Sequence, residues 1–238
     1  MISVAMASYN GAEYIRPQLD SILENLGEQD EVVISDDGSS DGTVSIIRSY
    51  MERDPRIRFL EGPKEGIIAN FELAIRKCKG DYIFLSDQDD IWFPEKVKKV
   101  IDAFNKGATL VMHDAKVYNE DLTSVIMPSF FEYRGCRSGA FANIVKNRYI
   151  GCCMAFRRSL VSHMLPIPRN IQMHDQWIGL VADLRKEQVT LLHEPLLKYR
   201  RHAGTGSDFS HNTLPVMVKN RLVLLRELKK AGKRIHGK

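Results

Sequence analysis

A switch between strand-like and helix-like apolar spacing, repeated through the first half of this 238-residue chain, is the feature that most constrains its fold. Ile2 to Ala7 is a nearly continuous apolar run, as in a strand covered on both faces. After a Ser-Tyr-Asn-Gly loop, Ile15, Leu19, Ile22, Leu23 and Leu26 fall on one helical face. EVVISDD reads as a second strand, rich in stiff β-branched residues. Asp41 is placed to N-cap a helix carrying Val44, Ile47 and Met51, IRFLE is a short strand, and Ile68 to Cys78 is helical. YIFLSD is a fourth strand, Pro94 and Glu95 open another helix, and TLVMHDAKV is a fifth strand. Strands joined by right-handed helical crossovers form a parallel sheet. The expected fold class is therefore α/β: one mostly parallel central sheet with helices on both faces, a Rossmann-like sandwich.

Past residue 120 this rhythm is lost. MPSFFEYRGCRSGAF is weakly periodic, YIGCCMAF is apolar, a helix is expected from about Asp175 to Lys186, and two short strands through Leu191 and Lys198. The second half is expected to fold over the sheet edge, in one domain of residues 1–212 followed by a helical tail, 213–238.

The net charge of +4 conceals an asymmetry: Lys219 to Lys238 holds eight Lys or Arg against one Glu, leaving the preceding residues net −3. Basic character confined to one terminal segment excludes a broad nucleic-acid-binding face. In that segment Val218, Leu222, Leu225 and either Leu228 or Val223 form an apolar stripe among cations, which either lies on an anionic membrane or packs on the domain. No apolar run approaches the roughly 20 residues of a membrane-spanning helix. MISVAMASYN lacks a secretory leader, so a reducing cytoplasmic location is expected. Cys78, Cys136, Cys152 and Cys153 form no C-x-x-C pair and read as small apolar fillers.

Ligands of open α/β sheets gather outside the carboxyl ends of the strands. Here those ends carry Ser8, Tyr9 and Asn10, then Asp36 and Asp37, then Asp87, Gln88, Asp89 and Asp90, then His113 and Asp114. So many converging carboxylates repel one another, and a divalent cation relieves the repulsion. Asp37, Ser39, Asp41 and Gly42 mimic half of a calcium loop, but Arg48 stands where the bidentate Glu belongs, so an EF-hand is excluded. A turn accounts for residues 38–43 and leaves Asp36 and Asp37 unexplained. SDQDDIW wedges its acids between apolar IFL and IWF, where unpaired charges would cost several kcal/mol. A magnesium or manganese site receiving a nucleotide diphosphate fits this pattern, and neither a P-loop nor a dinucleotide fingerprint is present.

SYNGAEYI, DDGSSDGT, NFELA, DYIFLSDQDDIWFPEK, MHDQW and YRRH occur in that order, and over residues 2–203 the chain resembles the inverting family 2 glycosyltransferases of GT-A fold. DQDDIW and GCCMAFRR further resemble bacterial rhamnosyltransferases of surface-polysaccharide assembly. The resemblance implies a donor half of about residues 1–116 and an acceptor half of about 117–212. It implies donor contacts from Ser8, Tyr9, Asn10, Asp36, Asp37, Asn70, Asp87, Gln88 and Arg200, with Asp36 accepting from the base imide N–H. It further implies Mn²⁺ or Mg²⁺ on Asp89 and His202, acceptor contacts from Gly151, Cys152, His174 and Trp177, and Asp175 as catalytic base.

Asp175 also stands where it could cap the following helix, and His202 could equally be a surface residue between arginines and loop; His113 and Asp114 receive no role. The implied activity is inverting transfer of a sugar, dTDP-L-rhamnose being the donor the rhamnosyltransferase likeness suggests, to a glycan or lipid-linked hydroxyl. Two other readings remain: a catalytically inactive nucleotide-sugar-binding subunit, and a sugar-nucleotide nucleotidyltransferase, although SYNGAEYIR lacks the Gly-rich basic loop the latter needs.

Overall fold

A computed structural model describes residues 1–202 and 213–237. In chain order the elements are β1 (Ile2–Ser8), α1 (Ile15–Leu23), β2 (Glu31–Asp36), α2 (Thr43–Met51), β3 (Ile57–Glu61), α3 (Ile67–Lys77) and β4 (Tyr82–Ser86). Then come β5 (Ile91–Trp92), α4 (Lys96–Asn105), β6 (Leu110–Tyr118), β7 (Val125–Met127), α5 (Phe130–Arg134), α6 (Ala140–Val145), β8 (Met154–Arg157) and α7 (Val161–Met164). The described chain closes with α8 (His174–Leu184), β9 (Val189–Arg200), α9 (Leu214–Lys230) and α10 (Gly232–His236).

The sheet runs β3-β2-β1-β4-β8-β6-β9-β5, with β7 paired to β6. The βα rhythm yields β3, β2, β1 and β4 as parallel neighbours, and every residue of β1 and β2 is buried, as central strands covered on both faces require. α1 buries Ile15, Leu19 and Ile22 and tolerates Pro17 because it lies in the first turn. The boundary at residue 212 lies outside the described residues.

Four expectations are corrected. The second half does not fold over the sheet edge: β8 inserts between β4 and β6, antiparallel to both, so GCCMAF contributes a strand to the middle of the sheet. The strands through Leu191 and Lys198 are one strand, β9, parallel to β6 with a register break near Pro195. α2 begins at Thr43 behind Gly42, whose φ of 98° suits glycine, so Asp41 stands one residue ahead of the cap position. α4 begins at Lys96, leaving Pro94 and Glu95 in the preceding turn.

The tail is helical, and it packs on the domain through Leu224, Leu228 and Ile235. Of the expected apolar stripe only Leu228 is buried, while Val218, Leu222 and Leu225 face outward. No helix among the described residues is long and apolar enough to cross a membrane.

Candidate functional site

β1, β2 and β4 end together, and their polar termini lace two loops into one wall. Asp36 closes β2 and is 3% exposed. Its Oδ2 accepts from Ser8 Oγ at 2.8 Å and Ser39 Oγ at 2.6 Å, while Oδ1 accepts from the Ser39 and Gly38 amides at 2.8 and 3.1 Å. A nucleobase imide would have to share this filled carboxylate. Asp37 accepts from the Lys64 and Gly66 amides at 2.7 and 2.8 Å, holding the turn that leads into α3. Asn10, itself left-handed at φ 46°, accepts from the Ser40 amide and donates its own amide to Ser39 Oγ. Asp41 receives the Ala12 amide at 2.9 Å and the Thr43 hydroxyl at 2.5 Å, and bonding of this kind holds its carboxyl below the usual range against the opposing effect of burial. Much of DDGSSDGT thus builds the wall.

Gln88 is spent on Tyr9, accepting from its amide and donating to its carbonyl, both at 2.9 Å. A Cβ on Gly11 would lie 2.2 Å from Gln88 Oε1, so this pairing demands glycine there. Tyr9 keeps an exposed ring on the rim. Asn70 donates to Ser8 O at 3.2 Å, and its buried Oδ1 has no partner.

The acids after β4 sit deeper. Gln18 of α1 donates to Ser86 Oγ at 2.7 Å and to Asp87 O at 3.1 Å, fixing the strand end. Burial raises Asp87 to about 7, helped by the negative charges of Asp89 and then Asp175. Asp90 is 1% exposed and pushed well above the carboxylate range by burial and then by the charges of Asp89 and Asp87. Its Oδ1 accepts the Arg200 amide at 3.0 Å, and its Oδ2 has no partner. Buried Lys96, missed in the sequence reading, lies over the Trp92 ring at 3.9 Å and donates to Cys152 O at 2.9 Å. Burial lowers its pKa to about 8, an effect that the nearby Cys153, Cys152, Asp90 and Asp87 oppose.

Cation chemistry fits this cluster. Asp87, Asp90 and Cys152 offer ligand atoms within 4.8 Å of one another, and the orphaned Asp90 Oδ2 is an acceptor awaiting a positive partner. Asp89 Oδ2 lies 2.8 Å from His202 Nε2, close enough for both to serve one ion, and that bond raises the His202 pKa. The oxygen-rich set suits a hard ion such as Mg²⁺ or Mn²⁺. Cys152, read as a filler, proves to face the acids as well. Arg200, expected at the donor, is occupied in bracing: Nε donates to Asp89 O at 2.7 Å and Nη1 to Glu120 O, while its guanidinium lies 5.0 Å from the Tyr14 ring. Glu13, Tyr14, Asn119, Glu120, Asp121 and Arg200 line an open hollow of about 410 Å³ beside it.

Asp175 is in the first turn of α8, behind the cap residue Met173, so it does not cap the helix. Its Oδ1 accepts from Asn147 Nδ2 at 2.9 Å and from the Gln176 amide at 2.6 Å; its Oδ2 accepts from the Gly151 amide at 3.2 Å. Asn147 carried no signal in the sequence. Gly151, Cys152, His174 and Trp177, expected to meet the acceptor, are all buried. Trp177 is fully enclosed and donates Nε1 to Met164 O at 2.8 Å, so it offers the acceptor no surface. His174 stacks on Phe71 at 4.1 Å. A Cβ on Gly151 would approach His174 Nε2 to 3.0 Å, so these residues form the wall behind Asp175. His113 is also buried, its Nδ1 2.7 Å from Asp114 O.

The sequence model for Glycosyl transferase family 2 matches residues 3–165. A dTDP-rhamnosyl transferase, RfbG of Shigella flexneri, is 29% identical over 230 residues, covering 86% of this chain and 75% of that protein. The chondroitin synthase of Escherichia coli is 34% identical over 110 residues, 46% of this chain and only 16% of the synthase. In structure the chain is similar to S. aureus TarS 1–349 in complex with UDP-GlcNAc, with TM-score 0.73 at 16% identity, covering 95% of this chain and 66% of that one. It is also similar to the mannosyltransferase PcManGT of Pyrobaculum calidifontis in complex with GDP-Man and Mn²⁺, with TM-score 0.61 at 20% identity, covering 82% and 54%. At these identities the structural likenesses establish the fold, which is the GT-A arrangement.

Proposed function

The chain belongs to glycosyl transferase family 2, and from that membership we propose that it transfers a sugar, with inversion, from a nucleotide-diphosphate-sugar to a glycan or lipid-linked hydroxyl in cell-surface polysaccharide synthesis, in the cytoplasm. One observation carries the reading. Asp175 accepts from the Gly151 amide at 3.2 Å, and the next residue, Cys152, shares a group of ligand atoms within 4.8 Å of one another with Asp87 and Asp90. On this reading one short backbone turn ties a carboxylate suited to act as base to an acid cluster suited to a cation.

The roles follow from the chemistry. Donor nucleotide and diphosphate occupy the crevice at the ends of β1, β2 and β4, floored by Ser8 and Asn70, flanked by Asp37 and rimmed by exposed Tyr9 and Asn10. Asp87 and Asp89, with His202, would hold Mn²⁺ or Mg²⁺, which when bound supplies positive charge against the departing diphosphate. Asp175 accepts the proton of the attacking hydroxyl, and Asn147 and the Gly151 amide aim its oxygens. Lys96 balances charge from beneath, and Arg200 keeps Asp89 and Asp90 in register. The likeness to RfbG supports dTDP-L-rhamnose as donor.

The test is direct: incubate the protein with dTDP-L-rhamnose, UDP-sugars or GDP-sugars and Mn²⁺, and measure release of the nucleoside diphosphate. Release abolished by Asp175→Asn supports the reading. Donor binding with no release from the unmodified protein under any condition would instead assign an inactive binding subunit, and formation of nucleoside triphosphate and sugar 1-phosphate when pyrophosphate is added would assign a nucleotidyltransferase.

A further inference from the structure

We propose that the outward face of α9 and the adjoining end of α6 form a docking surface for a bilayer containing anionic phospholipid. Leu214, Val218, Leu222 and Leu225 recur at intervals of four, four and three residues, so they share one helix face. All four are exposed, Leu222 at 63%. The helix already has a buried face in Leu224, Glu227 and Leu228, so this second apolar stripe contributes nothing to its packing on the domain.

The stripe has an apolar neighbour. Arg221 donates its Nε to Val145 O at 2.8 Å, which sets the exposed Val145 of α6 against α9, and Phe141 on the same short helix is 84% exposed. Grouped exposed apolar side chains of this kind mark interaction surfaces.

Charge selects the occupant. Lys219, Arg226 and Lys230 follow the stripe around α9, and the segment from Lys219 onward is net +7 while the preceding residues are net −3. A two-fold contact between copies would bring this cationic patch against an identical cationic patch. An anionic bilayer answers both features, taking leucine and valine into its interface and lysine and arginine against its headgroups. The same surface leads toward the site, because Asn147, two residues beyond Val145, donates to Asp175. An amphiphilic, lipid-linked acceptor would then reach Asp175 from the membrane; this last step rests on the glycosyl-transfer reading, whereas the docking does not.

Sedimentation of the full chain with vesicles of phosphatidylcholine, with or without phosphatidylglycerol, tests it. The unmodified protein should pellet only with the anionic vesicles. Val218→Glu with Leu222→Glu, and separately Lys219→Glu with Arg226→Glu, should each weaken that binding at least about tenfold. All four side chains are solvent-facing, so the thermal midpoint should hold. Failure of the unmodified protein to pellet, or undiminished binding by both double variants, overturns the proposal. So does a solution dimer that Val218→Glu with Leu222→Glu dissociates, which would assign the face to a second copy. Donor turnover, followed without vesicles, separates the two ideas: docking without turnover sinks the transfer reading alone, and turnover without docking sinks this one.

Discussion

Asn147 donates its side-chain amide to the carboxylate of Asp175 at 2.9 Å, joining two residues 28 positions apart in the chain. With the Gly151 amide on the other oxygen, this bond directs the carboxylate from outside its own helix. Asn147→Ala should lower kcat about ten- to a hundredfold while leaving the donor Kd unchanged, the pattern of a misaimed base. Single-turnover kinetics beside donor titration would check it; a matching loss of donor affinity would mean that Asn147 supports the fold of the whole cleft.

Asp175→Asn removes the proposed proton acceptor and keeps the shape. Turnover should fall to background while donor binding persists. Retention of more than about a tenth of the unmodified rate would remove Asp175 as the base.

Asp89→Ala deletes the carboxylate that lies 2.8 Å from His202. Nucleotide-diphosphate affinity should drop, and the remaining binding should no longer depend on Mn²⁺. Titration calorimetry giving the same affinity with and without EDTA for the unmodified protein would contradict the cation's part in donor binding.

Asp87, raised to about 7, makes stability depend on pH. Its folded form holds a proton more tightly than an unfolded aspartate near 3.9, so the stability it contributes is present below about pH 4 and is lost as pH rises through about 7. Bound Mn²⁺ would offset that loss by favouring the carboxylate. Thermal midpoints should therefore rise more on adding Mn²⁺ at pH 8 than at pH 5, by several degrees for a chain of this size. An equal rise at both pH values would count against Asp87 as a ligand.

Gly179 lies within α8, and a Cβ there would come within 2.1 Å of the Tyr149 ring. Helix propensity alone predicts that Gly179→Ala stabilises by about 1 kcal/mol. Overpacking against Tyr149, whose hydroxyl is tied to Asp183 at 2.9 Å, opposes this by about 1–3 kcal/mol. A lowered melting midpoint is expected, and a raised one would mean that Tyr149 can move aside.

The parts legible in the sequence were those set by local pattern. β1, β2 and β4 are apolar runs ending in polar residues, so both the strands and the rim they build could be read. β8 could not, because four residues inserted between β4 and β6 depend on pairings 71 or more positions back along the chain for the first of these. Asn147 was invisible for a related reason: its significance is a contact with Asp175, not a spacing. Trp177, expected at the acceptor only from the family resemblance, is turned inward by helix geometry to Met164, a burial its position in the motif does not show. In α9 the period was evident, but which face is covered depends on the surface beneath, and that surface takes Leu224 and Leu228 and leaves Leu222 outside.

β8 has a consequence for the dimensions of the candidate site. The turn just before it, Gly151–Cys153, touches Asp175 through the Gly151 amide and the acid cluster through Cys152, and β8 itself is hydrogen-bonded on both edges. Asp175 and the acids are thus calibrated against one short stretch of backbone clamped at the centre of the molecule. The gap between them behaves as a fixed gauge, since stretching it would unzip the sheet.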